Sequence, residues 1–144
     1  MHAALITYPR YAHPETHSLS DAETLIRYVG RQRRWMQQNR KPIHAVGFSS
    51  WKRPILRHFL AGSTLTHVKT PNATPAHSTL CVWGDTCTKD VADAHQILRV
   101  EDGFLRSAGL GADLIKPLSW VIDDKGIYYD PSKPSRLETF LQSQ

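Results

Sequence analysis

The fold of this chain is decided by one stretch, which reads RVEDGFLRSAGLG from Arg99 to Gly111. Residues 97–100 are the end of a predicted buried strand, and the carboxylates of Glu101 and Asp102 follow it directly. Three glycines then come within nine residues. In open α/β sheets, ligands bind at the carboxyl ends of the strands, where such turns lie. The stretch therefore predicts a sheet whose carboxyl edge carries polar groups.

The glycine spacing in this stretch excludes two common phosphate-binding motifs. Gly103 and Gly109 are too far apart for GxGxxG, and no Gly-Lys-Ser/Thr follows as it does in a P-loop. Ser107 also lacks the GxSxG context of a hydrolase nucleophile. Glycines after a strand are often simple turn residues, and an arginine between acids is often only an ion-pair partner. The spacing alone leaves both a ligand site and a plain turn open.

The two adjacent acids are not expected to enter one site together. Neighbouring side chains on a strand point to opposite faces, so either Glu101 or Asp102 faces a cleft unless the turn has already begun. A catalytic carboxylate pair would then need a partner from elsewhere in the fold. Asp123, Asp124 and Asp130 are the candidates, although acids at such positions usually form turns.

Strands and helices alternate through the middle of the chain, which is typical of parallel βαβ units. With right-handed crossovers these units form a Rossmann-like parallel sheet. Strands are expected at residues 43–48, 65–68, 80–84 and 97–100, and helices at 51–60 and 88–95. Nearer the C-terminus, a β-hairpin is expected from the apolar run 118–122, the turn 123–126 and a returning strand 127–129. Ser135 is expected to cap a last helix from Arg136 to about Gln142.

The N-terminal part has a different character. A short strand is expected at residues 3–8, and the prolines that follow indicate an extended segment. Ser20 with Glu23 three residues later is a capping box, which predicts a helix that ends near Asn39. The sequence therefore indicates a linker over residues 1–19 and a single partial domain over residues 20–144.

Charge is unevenly distributed along the chain. Residues 1–72 hold 11 Lys/Arg and 3 Asp/Glu and so carry +8, whereas residues 73–144 hold 7 and 10 and carry −3. A basic half predicts an anionic partner, or it is simply a solvated helix face. No aromatic platform of the RNA-binding kind accompanies it, so nucleic acid is not the expected partner.

Several functional classes are not expected from the composition. No apolar run is long enough to span a membrane, and the N-terminus does not resemble a signal peptide. The two cysteines have neither zinc nor disulfide spacing, which favours a cytoplasmic setting. The eight histidines form no metal-binding pair, so no metal site is expected.

Four segments together resemble the capsular polysaccharide biosynthesis and export proteins of the KpsC (LipA) type, which are retaining β-Kdo transferases of Gram-negative bacteria. The segments are residues 99–107, 109–111, 117–119 and 123–130. The resemblance covers roughly residues 80–140. Residues 6–11, with His13 and Pro14, are similar to the segment that joins the two transferase modules of that family.

The resemblance implies a Rossmann-like half of a GT-B-like glycosyltransferase. It implies CMP-Kdo as the donor substrate, a lipid-linked Kdo acceptor and no cofactor. Glu101 matches the active-site glutamate of the family, a general acid or base. The residues matched to the motif around it, and expected to bind substrate, are Asp102, Gly103, Arg106, Ser107, Gly109 and Gly111.

The resemblance also implies an incomplete enzyme. The family's nucleophilic carboxylate and its His-Pro nucleotide-binding motif lie further along than Gln144, so the chain alone is expected to be inactive. A cytoplasmic location, peripheral to the inner membrane, follows from the family, and the basic segment 27–41 is expected to face an anionic lipid surface. The alternative is a non-catalytic module that binds a partner in a capsule synthesis or export complex.

Overall fold

The computed structural model describes residues 6–85, 89–105 and 117–144 as a five-stranded sheet with flanking helices. No helix within these ranges is both long and apolar enough to cross a bilayer. The elements, in chain order, are β1 (Tyr11–Ala12), β2 (Leu19–Ser20), α1 (Ala22–Gln38), β3 (Pro42–Val46), α2 (Lys52–Phe59), β4 (Thr64–Val68), β5 (Thr79–Trp83), α3 (Lys89–Ala94), β6 (Gln96–Asp102), β7 (Trp120–Asp123) and α4 (Arg136–Gln142).

The predicted α/β architecture with a mostly parallel sheet is confirmed. The strand order is β4-β3-β5-β6-β7, and the first four strands are parallel to one another. Strand β4 lies on one side of β3 and β5 lies on the other, so the order reverses between β3 and β5. A reversal of this kind opens a crevice at the carboxyl ends of the two strands, and ligands bind there in α/β proteins.

The core lies on both faces of the sheet, which explains the continuous apolar runs of the central strands. On β5, Leu80 and Val82 belong to a cluster that packs against α3, whereas Cys81 belongs to the larger cluster on the α2 side. Leu56 of α2 is completely buried in that larger cluster. The ring of Trp120 also belongs to this cluster and stacks on the ring of Phe59, with the two ring centroids 5.2 Å apart.

The first long helix begins one residue later than the predicted capping box would place it. Asp21 is the N-cap, and its carboxylate accepts from the backbone N–H and the hydroxyl of Thr24 at 2.8 and 2.9 Å. Ser20 is instead part of β2, where it pairs with Tyr11. The capping box at Ser20 was therefore wrong, because the strand pairing occupies Ser20 and leaves the cap to the neighbouring carboxylate. The predicted end of the helix at Asn39 is confirmed.

The N-terminal segment was predicted as an extended linker with a strand at residues 3–8. The structure describes residues 6–8 outside any strand, and residues 1–5 lie outside the described ranges. Beyond them, the segment folds back on itself as an antiparallel pair of β1 and β2. The boundary between a linker and a domain at residue 19 stays a prediction.

The predicted C-terminal hairpin is wrong in its second strand. Antiparallel pairing does occur, but between β6 and β7, with Arg99 opposite Asp123. Residues 127–129 form a second turn instead, in which the backbone N–H of Asp130 donates to the carbonyl of Ile127 at 3.0 Å. In the turn before it, the buried carboxylate of Asp123 accepts the backbone N–H groups of Lys125 and Gly126 at 2.8 and 3.2 Å. The chain then continues to α4, whose predicted cap at Ser135 is confirmed.

Replacing Asp123 by alanine should destabilise the fold more than replacing a neighbouring turn acid. The Asp123 carboxylate, which is 3% exposed, also accepts from the backbone N–H of Arg136 at 2.7 Å, so Asp123→Ala leaves three donors without their acceptor. We expect a loss of about 2–3 kcal/mol in the free energy of unfolding, measured by urea denaturation. Asp130→Ala is the matched control, because Asp130 is less buried than Asp123 and, among the described residues, its carboxylate accepts one backbone N–H, that of Ser132. Equal losses in the two variants would contradict the assignment.

Candidate functional site

A cavity opens where the strand order of the sheet reverses, at the carboxyl ends of β3 and β5. Its volume is about 490 Å³. The residues that line it come from the ends of both strands, from the start of α2 and from the loop after β4: Val46, Gly47, Ser49, Lys52, Pro71, Val82 and Trp83. This is the location at which open parallel sheets bind their ligands.

The loop between β3 and α2 gives the cavity its polar groups. Gly47 has a φ of 72°, a left-handed conformation that turns the chain sharply after the strand. Lys52 begins α2, and its ammonium lies 3.1 Å from the centroid of the Trp83 ring, a cation–π contact. Because a lysine, the hydroxyl of Ser49 and the N-terminus of a helix meet here, the cavity is suited to an anionic or polar ligand.

The carboxylate of Glu101 lies on the same edge of the sheet, at the end of the neighbouring strand β6. Its Oε1 accepts a hydrogen bond from the Tyr129 hydroxyl at 2.9 Å, and its Oε2 lies 3.4 Å from the backbone N–H of Asp102. A Cβ at Gly84 would lie only 2.9 Å from Oε1, so a glycine here leaves room for the carboxylate. Gly84 directly follows Trp83 of the cavity wall, so the Glu101 carboxylate borders the residue next to that wall.

The side chain of Tyr129 is held as a hydrogen-bond donor. Burial and, after it, the hydrogen bond to Glu101 raise the pKa of Tyr129 to about 12, so its hydroxyl stays protonated at neutral pH. The adjacent Tyr128 makes a different contact: its hydroxyl donates to the backbone carbonyl of Asp102 at 3.2 Å. The two tyrosine rings pack edge to face with centroids 5.2 Å apart.

An ion-pair cluster fixes the segment after Tyr129 against the sheet. The carboxylate of Asp85 accepts from the largely buried guanidinium of Arg99 at 2.9 Å and from the ammonium of Lys133 at 2.8 Å. The hydrogen bonds from Lys133 and Arg99 hold the pKa of Asp85 below its ordinary value. Asp85 directly follows Gly84 at the end of β5, and Lys133 follows the turn that carries Tyr129. This cluster therefore attaches that turn to the end of β5.

The structure brings only some of the predicted site residues into this arrangement. Glu101 and Asp102 are successive residues of β6, so strand geometry directs their side chains to opposite faces. Gly103 has a packing reason to be glycine, because a Cβ there would overlap the side chain of Ser119. Substrate binding by Asp102 and Gly103 stays a prediction. The other predicted residues, Arg106, Ser107, Gly109 and Gly111, lie outside the described ranges.

The turn acids considered as partners for Glu101 have other contacts. Asp123 holds its own turn, as described above, and Asp130 accepts from the backbone of Ser132. Asp124 forms a two-point ion pair with Arg136, at 2.7 and 2.5 Å. Each of these carboxylates therefore has a local role in the turn or at the start of α4.

The possible metal ligands of the described part of the chain are dispersed, and its cysteine thiol is buried. No group of three His, Cys, Asp or Glu side chains there could hold a metal ion. Cys81 is a free, buried thiol, and burial raises its pKa to about 12, so it is not a thiolate at neutral pH.

The cavity and the ion-pair cluster around Asp85 were not predicted from the sequence. The connection between the expected strand 43–48 and the expected helix 51–60 was given no functional role, although a glycine after a buried strand, followed by two serines and a lysine at a helix start, was a usable signal. The Asp85–Lys133 contact spans 48 residues, and no local pattern in the sequence indicates it.

The ion-pair cluster around Asp85 should make the free energy of unfolding depend on pH in the acid range. A depressed pKa means that the folded state favours the carboxylate, so this stabilisation is present above the unfolded pKa of about 3.9 and is lost as pH falls through the lower folded value. Asp85→Asn should lower the free energy of unfolding by about 1 kcal/mol at pH 7 and by much less near pH 2, as followed by urea denaturation. Asp93→Asn, which removes an exposed acid of α3, is the control. A pH-independent deficit in Asp85→Asn would refute the role given to the cluster.

The known proteins that are similar to this chain are named for capsule polysaccharide or lipopolysaccharide. Residues 79–144 match a family model described as capsule polysaccharide biosynthesis protein. Over 157 residues of alignment, 99% of the chain is 34% identical to the capsule polysaccharide modification protein LipA of Neisseria meningitidis, in both serogroup A and serogroup B strains. Over 116 residues, 70% of the chain is 40% identical to the lipopolysaccharide-processing protein LpsZ of Rhizobium meliloti. The chain spans 22% of the length of LipA and 26% of the length of LpsZ.

Proposed function

We propose that this chain, which belongs to the LipA type of capsule polysaccharide biosynthesis proteins, forms one Rossmann-like part of a GT-B-like retaining β-Kdo transferase. The transferase would use CMP-Kdo to add Kdo to a lipid-linked acceptor. The observation that carries the proposal is the Glu101 carboxylate at the same carboxyl edge of the sheet as a cavity of about 490 Å³. The similarity to LipA over nearly the whole chain supports it.

Glu101 is proposed to move the proton in this reaction. A retaining transfer needs a nucleophile that forms a covalent intermediate and a second group that acts as general acid and base. Oε1 of Glu101 is engaged by Tyr129, whereas the contact of Oε2 within the described part of the chain is the 3.4 Å approach of the Asp102 backbone N–H. Oε2 is therefore the atom placed to exchange a proton with a substrate oxygen.

The cavity beside Glu101 is proposed to receive the anionic part of a substrate. CMP-Kdo carries a phosphate and a carboxylate, and a Kdo-primed acceptor carries a carboxylate. Lys52 supplies a positive charge and Ser49 a hydroxyl on the wall of the cavity. The Trp83 ring, which contacts the Lys52 ammonium, provides an apolar surface that a sugar ring can pack against.

A transfer assay tests the role of Glu101. The chain is incubated with CMP-Kdo and a Kdo-primed lipid, alone and together with the separately expressed remainder of a LipA-type protein. We expect product in the combined mixture and a loss of at least about 100-fold in rate with Glu101→Gln. Glu15→Gln, at an exposed acid that contacts Tyr28, is the control and should leave the rate unchanged.

Two outcomes of this assay would overturn parts of the proposal. Unchanged transfer with Glu101→Gln would exclude Glu101 as the proton-transfer group. Absence of product from a folded mixture would favour the second candidate function, a non-catalytic module that binds a partner in a capsule synthesis or export complex. The observation that favours the second candidate is α1, a helix of 17 residues in which no residue is buried.

The surface of α1 is also the basis for proposing contact with the anionic inner-membrane surface, from the cytoplasmic side. Ile26, Val29 and Met36 are 68, 59 and 48% exposed, so the helix has an uncovered apolar stripe. Arg31 and Arg34 lie elsewhere on its circumference and are exposed. A helix that combines exposed apolar and basic faces is typical of proteins that bind at an anionic lipid interface.

Vesicle binding tests this contact. Replacing Arg31, Arg33 and Arg34 together by serine should weaken binding to phosphatidylglycerol-containing vesicles about 10- to 100-fold in a sedimentation assay, because each cation near the surface contributes about 1 kcal/mol. Binding to purely zwitterionic vesicles should be weak for both proteins. The matched control replaces Arg10, Arg57 and Lys69, which removes the same charge outside α1. Equal losses in the two triple variants would leave only a general charge effect and refute a role for α1.

A further inference from the structure

The hydrogen bond between Tyr129 and Glu101 joins two residues that are 28 positions apart in the chain. The Tyr129 hydroxyl donates to Oε1 of Glu101 at 2.9 Å. The same hydroxyl lies 3.8 Å from the position that a Cβ at Gly84 would take. Gly84 and Tyr129 therefore border the same oxygen of the carboxylate, one by leaving space and the other by donating a hydrogen bond.

The segment that carries Tyr129 is anchored independently of this contact. Ile127 is 2% exposed and secures the start of the turn in the protein interior. Four residues after Tyr129, Lys133 binds the carboxylate of Asp85. The Tyr128 hydroxyl binds the backbone carbonyl of Asp102. These contacts are all made within the chain, so together they hold the Tyr129 hydroxyl beside Glu101.

We propose that Tyr129 is a positioning residue that holds the Glu101 carboxylate in its productive orientation, and this rests on the proposed function of Glu101. The hydroxyl engages Oε1 at 2.9 Å, which restricts rotation of the carboxylate and leaves Oε2 for the substrate. Tyr129 therefore acts on the orientation of Glu101, without itself touching the reacting atoms.

The adjacent tyrosine provides a matched control for the test. Tyr129→Phe removes only the hydroxyl that contacts Glu101, whereas Tyr128→Phe removes a neighbouring hydroxyl that contacts a backbone carbonyl. Tyr129 is 55% exposed, so phenylalanine at this position should not prevent folding. In the 144-residue chain at neutral pH, NMR follows the chemical shift of the side-chain carboxyl carbon of Glu101. We expect this chemical shift to change in Tyr129→Phe, which removes the hydrogen bond to the carboxylate, and not in Tyr128→Phe.

Activity gives the second readout, in the combined mixture of the transfer assay. Tyr129→Phe should lower kcat about tenfold with little change in KM. In a Glu101→Gln background, adding Tyr129→Phe should have almost no further effect, because the carboxylate that it positions is absent.

The two readouts separate failure of this inference from failure of the proposed function. If the chemical shift of the Glu101 carboxyl carbon is the same in the unmodified chain and in Tyr129→Phe, the inference is wrong whatever the activity. If the chemical shift changes but the unmodified mixture makes no product, the contact is real and the proposed transferase function is wrong, and with it the positioning role. A fall in rate with Tyr129→Phe that is equally large in the Glu101→Gln background would assign Tyr129 a merely structural role and overturn the inference.

Discussion

The parallel pairing of β5 with β6 is the constraint on which the rest of the site depends. The register places Trp83 opposite Val100, and the backbone N–H of Gly84 continues the pairing by donating to the Val100 carbonyl at 2.9 Å. Glu101 is the next residue of β6, so its carboxylate necessarily stands beside Gly84. A shift of one residue in this register would turn Glu101 to the opposite face of the sheet.

The same register explains why charge accumulates at this edge without destabilising it. Asp85 comes directly after Gly84, and Arg99 lies two residues before Glu101 on the same face of β6. The largely buried Arg99 guanidinium needs a counter-charge, which Asp85 supplies at 2.9 Å. Lys133 adds a second cation to the same carboxylate. The electrostatic partners of the site thus also attach the turn that carries Tyr129.

The segment that matches the capsule polysaccharide family also contains Glu101 and the residues that contact it. The match to the capsule polysaccharide biosynthesis family covers residues 79–144, which include β5, β6 and the turn with Tyr129. The cavity extends this region to the loop after β3, which lies outside that match but inside the alignment with LipA. The candidate site therefore includes residues from the segment that matches the family and residues from the loop that contains Gly47 and Lys52, because both lie at the same edge of the sheet.

Much of the fold was predictable because local patterns are strong where strands are buried. Continuous apolar runs located β3, β5 and β6, and the alternation with helices predicted the parallel sheet. The errors occurred where two local signals competed. Ser20 was taken as a helix cap although it pairs in β2, and residues 127–129 were taken as a strand although the backbone of Asp130 closes a turn onto Ile127 there.

By itself, the sequence determined the α/β class, the resemblance to capsule polysaccharide proteins and the importance of Glu101 as a candidate, because these depend on composition and short-range order. Only the tertiary structure decided what surrounds Glu101. Its contact with Tyr129 and the contact of Asp85 with Lys133 join residues 28 and 48 positions apart. Such contacts have no local signature, since they arise from strand register and from the path of the turn after β7, which are set by packing of the whole sheet.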